Sequence, residues 1–93
     1  MKREHKLYGI PVKEYEKWYV CYQDQDHDMT WKNYKDEKEA KEIYDSYKGK
    51  KAARMLCKNA EVVHEDGDKE FRKKMKKYAE ENKEALGSKM GES

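Results

Sequence analysis

The stretch Lys50-Lys51-Ala52-Ala53-Arg54-Met55-Leu56-Cys57-Lys58 decides what kind of fold this chain makes. Residue by residue it favours a helix, because Ala, Arg, Met, Leu and Lys all rank high in helix propensity. Pairing argues the other way. A turn at Asn59-Ala60 sets Lys58 opposite Glu61, Cys57 opposite Val62, Leu56 opposite Val63 and Arg54 opposite Glu65. Two opposite-charge pairs and two apolar pairs are what a cross-strand register rewards. Ala60 is a poor stand-in for the Gly such a turn prefers. We read the stretch as the first strand of a hairpin, with a second helix as the alternative.

Upstream lies the clearest helix. Asp36 can cap its N-terminus and Glu39 completes a capping box, while Ala40, Ile43, Tyr44 and Tyr47 fall on one stripe. Its acids (Asp36, Glu37, Glu39) come early and its bases (Lys48, Lys50, Lys51) late, as the helix dipole favours. Gly49 is a natural stop. Two strands precede it, joined by the polar run Asp24-Gln25-Asp26-His27-Asp28. The first, from Lys17, puts Trp18, Val20 and Tyr22 on one face and Tyr19 and Cys21 on the other, so it is central or its second face is covered. The second, from about Met29 to Lys35, puts Met29 and Trp31 on one side and Thr30, Lys32 and Tyr34 on the other.

Downstream of Asp66-Gly67 a helix runs from Lys69 to Leu86 with Asp68 as its cap. Phe71, Met75, Tyr78, Ala79, Asn82, Ala85 and Leu86 trace one face. The expected architecture is α+β: a small antiparallel sheet in β-β-α-β-β order packed on one helix, plus a C-terminal amphipathic helix. Its parts are an N-terminal arm at 1–16, the ββαββ core at 17–66, the charged helix at 67–86 and a flexible tail at 87–93. Gly9 and Pro11 interrupt the arm, and Pro11 keeps it out of a central strand.

A chain of 93 residues is one domain near the lower limit for a self-sufficient core. Charged residues make up 45% and hydrophobic ones 35%, a balance that leans towards disorder. Eight Tyr, two Trp and one Phe pull back towards a folded centre, because aromatic rings bury large areas. So much Tyr implies a core wet at its edges, with hydroxyls reaching water or a partner. The net charge of +2 is spread with little asymmetry, unlike that of a dedicated nucleic-acid binder. No membrane-spanning run and no signal-peptide core are present, and a cytoplasmic location is expected. Cys21 and Cys57, alone in predicted strands, read as buried, reduced thiols. Nineteen Lys against three Arg fit an AT-rich source, bacterial or phage.

Chemistry-bearing motifs were sought in turn. Asp24, Asp26 and Asp28 match the first ligand positions of an EF-hand loop, but Met29 and Lys35 stand where Gly and a bidentate Glu are needed. Cys21, His27, Cys57 and His64 lack the close spacing of a zinc site, although the expected register puts Cys57 and His64 on one face. No phosphate loop, nucleophile elbow or catalytic carboxylate pair stands out, so neither enzyme, metal nor cofactor is expected. The run Gly49-Lys50-Lys51-Ala52-Ala53 is similar to one in double-stranded-RNA-binding domains, but the element order differs and no membership is assigned.

Two features suggest recognition instead. The last helix carries Arg72, Lys73, Lys74, Lys76 and Lys77 early and Glu80, Glu81 and Glu84 late, against its dipole, with Lys76–Glu80 and Lys77–Glu81 as partial compensation. A sheet covered on one face by one helix leaves the other open unless the C-terminal helix or a second subunit covers it; that face holds Tyr19 and Tyr34, or Trp18 and Trp31 if the faces are reversed. These eight residues, Tyr19, Trp31, Tyr34, Arg72, Lys73, Lys74, Lys76 and Lys77, are the expected contact set. The function expected is a non-enzymatic protein-binding module, of the kind small phage or mobile-element accessory and inhibitor proteins use to occlude a partner's surface. A homodimer is one form of that. The alternative is a nucleic-acid-binding module using the basic helix face and sheet aromatics.

Overall fold

The computed structural model describes residues 9–11, 18–26 and 28–87. Most of the expected arm and all of the tail beyond Gly87 lie outside the described residues. The chain runs β1 (Trp18–Gln23), β2 (Met29–Tyr34), α1 (Glu37–Ser46), β3 (Ala53–Lys58), β4 (Glu61–Gly67), α2 (Lys69–Glu81) and the single turn α3 (Lys83–Leu86). The strands form one antiparallel sheet in the order β2-β1-β3-β4. The disputed stretch is therefore a strand, and pairing prevails over its helix propensity because β3 lies between β1 and β4.

Both faces of the sheet are covered. On one, α1 lays Ala40 and Tyr44 over Val20 and Leu56, with Trp18, Tyr34, Ile43 and Tyr47 packed around them. On the other, α2 and α3 bring Met75, Ala79 and Leu86 onto Tyr19, Cys21, Trp31, Met55 and Cys57. Ile10, from the arm, packs at the margin of this second cluster. Val20, Leu56 and Met55 are fully buried, each contributing about 1.5–3 kcal/mol over an exposed position. The expectation of a sheet on one helix thus becomes a three-layer arrangement, with the C-terminal helices acting as the second cover.

Local chemistry explains the element ends. Asp36 caps α1, its Oδ1 accepting from the Glu39 amide at 3.0 Å. At the far end Gly49 turns the chain with φ +75°, and the Lys50 amide donates to the Tyr47 carbonyl. Asp68 sits at the start of α2 but makes no side-chain cap, unlike the expectation; its amide instead donates to the Ala52 carbonyl. The continuous helix expected over 69–86 breaks at Asn82. The Asn82 side-chain amide donates to the Tyr78 carbonyl, a local bond that competes with further helix. The break leaves Leu86 fully buried.

The β3–β4 hairpin keeps only the first two expected pairs, Lys58 with Glu61 and Cys57 with Val62. A bulge then shifts the register, so Leu56 faces His64, Met55 faces Glu65 and Arg54 faces Asp66. Val63, the extra residue, is 41% exposed rather than paired with Leu56. The shift sends the two carboxylates to opposite faces, where each meets a cation. Asp66 accepts from Arg54 at 2.9 Å, while Glu65 accepts from Arg72 at 3.4 Å and Lys76 at 3.2 Å. It also separates His64, beside the Tyr44 ring, from Cys57 in the other layer, undoing the shared face expected for those two.

Arg54 ties three elements together. Its guanidinium donates to the Tyr44 carbonyl in the last turn of α1 at 2.9 Å and lies 4.2 Å over the Tyr44 ring. A cation at a helix C-terminus is the favourable placement, and charge-assisted bonds are worth about 1.5–3 kcal/mol when buried. Asp66 is itself largely exposed, so its share is screened by solvent.

Gly67 is the backbone's tightest constraint. Its φ is +110°, and a Cβ there would overlap the Ala52 carbonyl oxygen and the Ala53 Cα. Gly49 has a similar φ with nothing near its Cβ position. Gly49→Ala should therefore cost about 1–2 kcal/mol from backbone conformation alone. Gly67→Ala should cost distinctly more, because backbone must also move. Urea titration of both variants checks this, and equal losses would contradict it.

Candidate functional site

The covered sheet faces redistribute the expected contact residues. Tyr19 is fully buried and Trp31 is 4% exposed, both beneath α2 and α3. Neither is available to a partner, because the face expected to be open is the one the C-terminal helices cover. The Tyr19 hydroxyl and the Trp31 Nε1 have no hydrogen-bond partner among the described residues. Burial pushes the Tyr19 phenol up from its ordinary pKa.

Tyr34 lies in the other layer, half-buried at the flank of α1. It belongs to an aromatic strip whose other members are Trp18, Tyr22 and Tyr47. The Tyr22 and Tyr47 ring centroids are 4.3 Å apart. The Lys51 ammonium stands 4.8 Å over the Tyr22 ring and 5.7 Å over that of Tyr47, while pairing with Asp24 at 3.0 Å. Lys32 reaches the Tyr22 ring at 6.0 Å, and Lys58 covers Trp18 at 5.7 Å. Cation–π contacts of this kind are worth about 0.5–1 kcal/mol when exposed. Alternation could have found Trp18, Tyr22 and Tyr34, which share one sheet face. The pairing of Tyr22 with Tyr47, across a strand and a helix end, leaves no sequence signal.

The strip has a distinct electrostatic character. Burial, a hydrogen bond with Tyr22 and repulsion from the neighbouring phenols all push the Tyr47 phenol up. Burial also raises Tyr34, helped by Tyr22 and Glu39. These hydroxyls stay protonated and act as hydrogen-bonding groups, not as bases.

The basic residues of α2 sit on the opposite side of the sheet and divide into two groups. Arg72 donates to the Gly67 carbonyl at 3.1 Å and to Glu65, and Lys76 also reaches Glu65, so both fasten α2 to β4. Lys73, Lys74 and Lys77 are exposed and make no ion pair among the described residues. The expected pairs Lys76–Glu80 and Lys77–Glu81 do not form; Glu80 pairs with Lys83 instead. The expected contact set is therefore not one surface, since Tyr34 and the α2 lysines lie in different layers.

Desolvation pushes the Cys57 thiol up to about 12 and the Cys21 thiol well above its usual value, so neither is a ready thiolate. No group of three or more His, Cys, Asp or Glu side chains among the described residues could hold a metal ion. No helix among them is long and apolar enough to cross a membrane. In comparisons with family models, curated proteins and solved structures, the chain finds no match.

The raised phenols set a pH dependence. A tyrosine held neutral by the fold contributes stability that is complete below its unfolded pKa, about 10, and is lost as pH rises beyond it. Thermal melts should therefore show a falling Tm above about pH 10, with a shallower fall in Tyr47→Phe. Identical alkaline profiles for the two proteins would contradict the assignment to Tyr47.

Proposed function

We propose that this protein is a non-enzymatic protein-binding module whose contact surface is the strip Trp18, Tyr22, Tyr34 and Tyr47 beside α1, with Lys32, Lys51 and Lys58 among the rings. The observation that carries this reading is how the ring faces are used. Tyr22 lies against Tyr47 and under Lys51, and Trp18 lies under Lys58. Base stacking needs open ring faces. What the strip offers instead is edges, hydroxyls and ammonium groups around half-buried aromatics, the mixture that protein interfaces favour.

The mode of action is occlusion: a small rigid body covers a partner's surface and blocks it, as an accessory or inhibitor protein of a phage or mobile element would. Two free, buried cysteines fit a reducing compartment, and the cytoplasm is the proposed location.

The test is capture of a stoichiometric partner from nuclease-treated lysate, repeated with the purified partner. Lys32→Glu changes an exposed residue and should leave the fold intact; Tyr34→Ala trims a half-buried ring. Together they should weaken binding tenfold or more, about 1.4 kcal/mol. An unchanged affinity in the double variant, or binding that survives only with nucleic acid present, would reject the reading.

A further inference from the structure

The unneutralised lysines of α2 form a second surface, on the far side of the sheet from the aromatic strip. Lys69, Lys73 and Lys77 recur every four residues and so line one ridge, and Lys74 stands on its flank. All four are exposed. Their placement in the first half of the helix opposes the helix dipole, at about 0.3–1 kcal/mol for charges near the terminus. For Arg72 and Lys76 the chain supplies the reason, since both bind Glu65. For Lys69, Lys73, Lys74 and Lys77 it supplies none: they make no ion pair among the described residues, and Glu70 is the single acid among residues 69–77.

We propose that this ridge docks a short acidic segment of a partner protein. The ridge spans about 12 Å, eight residue steps of a helix. Carboxylates bound it: exposed Asp68 and Glu70 stand at its start, and exposed Glu80, Glu81 and Glu84 follow towards the C-terminus. A nucleic-acid strand carries its charge past both limits and would meet those carboxylates. An extended acidic peptide of four residues, about 13 Å long, ends where the ridge ends. Nothing apolar stands on the ridge, so the contact is electrostatic, salt-sensitive and readily reversible. The proposal does not rest on the aromatic strip, and the two surfaces can be occupied together.

The probe is a fluorescein-labelled tetraglutamate peptide, titrated with the full chain and read by anisotropy, beside a labelled oligothymidylate of equal charge. The peptide should bind, and raising salt from about 50 to 200 mM should weaken it several-fold. Lys73→Gln, Lys74→Gln and Lys77→Gln combined should weaken it tenfold or more with far-UV circular dichroism unchanged. Lys35→Gln, Lys38→Gln and Lys41→Gln combined remove the same charge from exposed positions at and beside α1 and should leave binding intact. Failure of the wild-type chain to bind the peptide overturns the proposal. So does equal loss in the two triple variants, retention in the first, or preference for the oligonucleotide. Lys32→Glu with Tyr34→Ala should leave this binding unchanged, which separates failure here from failure of the strip.

Discussion

The inner strands β1 and β3 are apolar on both faces, and the rest of the structure answers that constraint. Val20 and Leu56, directly paired, form the floor of one layer; Tyr19, Cys21, Met55 and Cys57 form the floor of the other. An antiparallel sheet can leave one face in water only if that face is polar. Neither face here is. Each therefore needs a helix, and α1 and α2 supply one apiece. Arg54 then fixes where α1 ends, and Glu65 fixes how α2 lies over β4.

Much of this was legible in the sequence, and the rest was hidden for identifiable reasons. The cap at Asp36, the turn at Asn59-Ala60 and a strand within 50–58 follow from patterns confined to neighbouring residues, while the Glu39 half of the expected capping box is not among the hydrogen bonds of the described residues. Apolar character on both faces of β1 already announced a second cover. The pattern left open whether the C-terminal helix or a second subunit supplies it; the C-terminal helices do, and Tyr19 and Trp31, candidates for a contact surface, lie in the interior. The bulge at Val63 was invisible because either register pairs Arg54 with an acid; the observed one also gives Glu65 partners on α2. The break at Asn82 depends on a side chain bonding its own helix, which periodicity does not record. Of the expected contact residues, Tyr34 is half-buried and Lys73, Lys74 and Lys77 are exposed, while Arg72 and Lys76 pair with Glu65.

The covered sheet also shapes what the molecule offers to others. With both faces closed, the two proposed contact surfaces lie at the margins: a tyrosine–lysine strip along α1 and a lysine ridge along α2. They lie in different layers of a small domain. The β4 strand, at the edge of the sheet, carries Glu61, His64, Glu65 and Asp66 and is broken by its bulge. Charge and irregularity of that kind discourage edge-to-edge association.

If the two layers share their strands, neither cover can be lost without the other. The two tryptophans report on this separately, Trp18 in the α1 layer and Trp31 in the α2 layer. The direct measurement is urea unfolding of Trp18→Phe and Trp31→Phe, followed in each by the remaining tryptophan's fluorescence and by far-UV circular dichroism. Coincident midpoints within each variant are the expected result. A Trp31 signal that melts first, leaving most of the circular dichroism intact, would mean that α1 alone holds the sheet and would contradict the account.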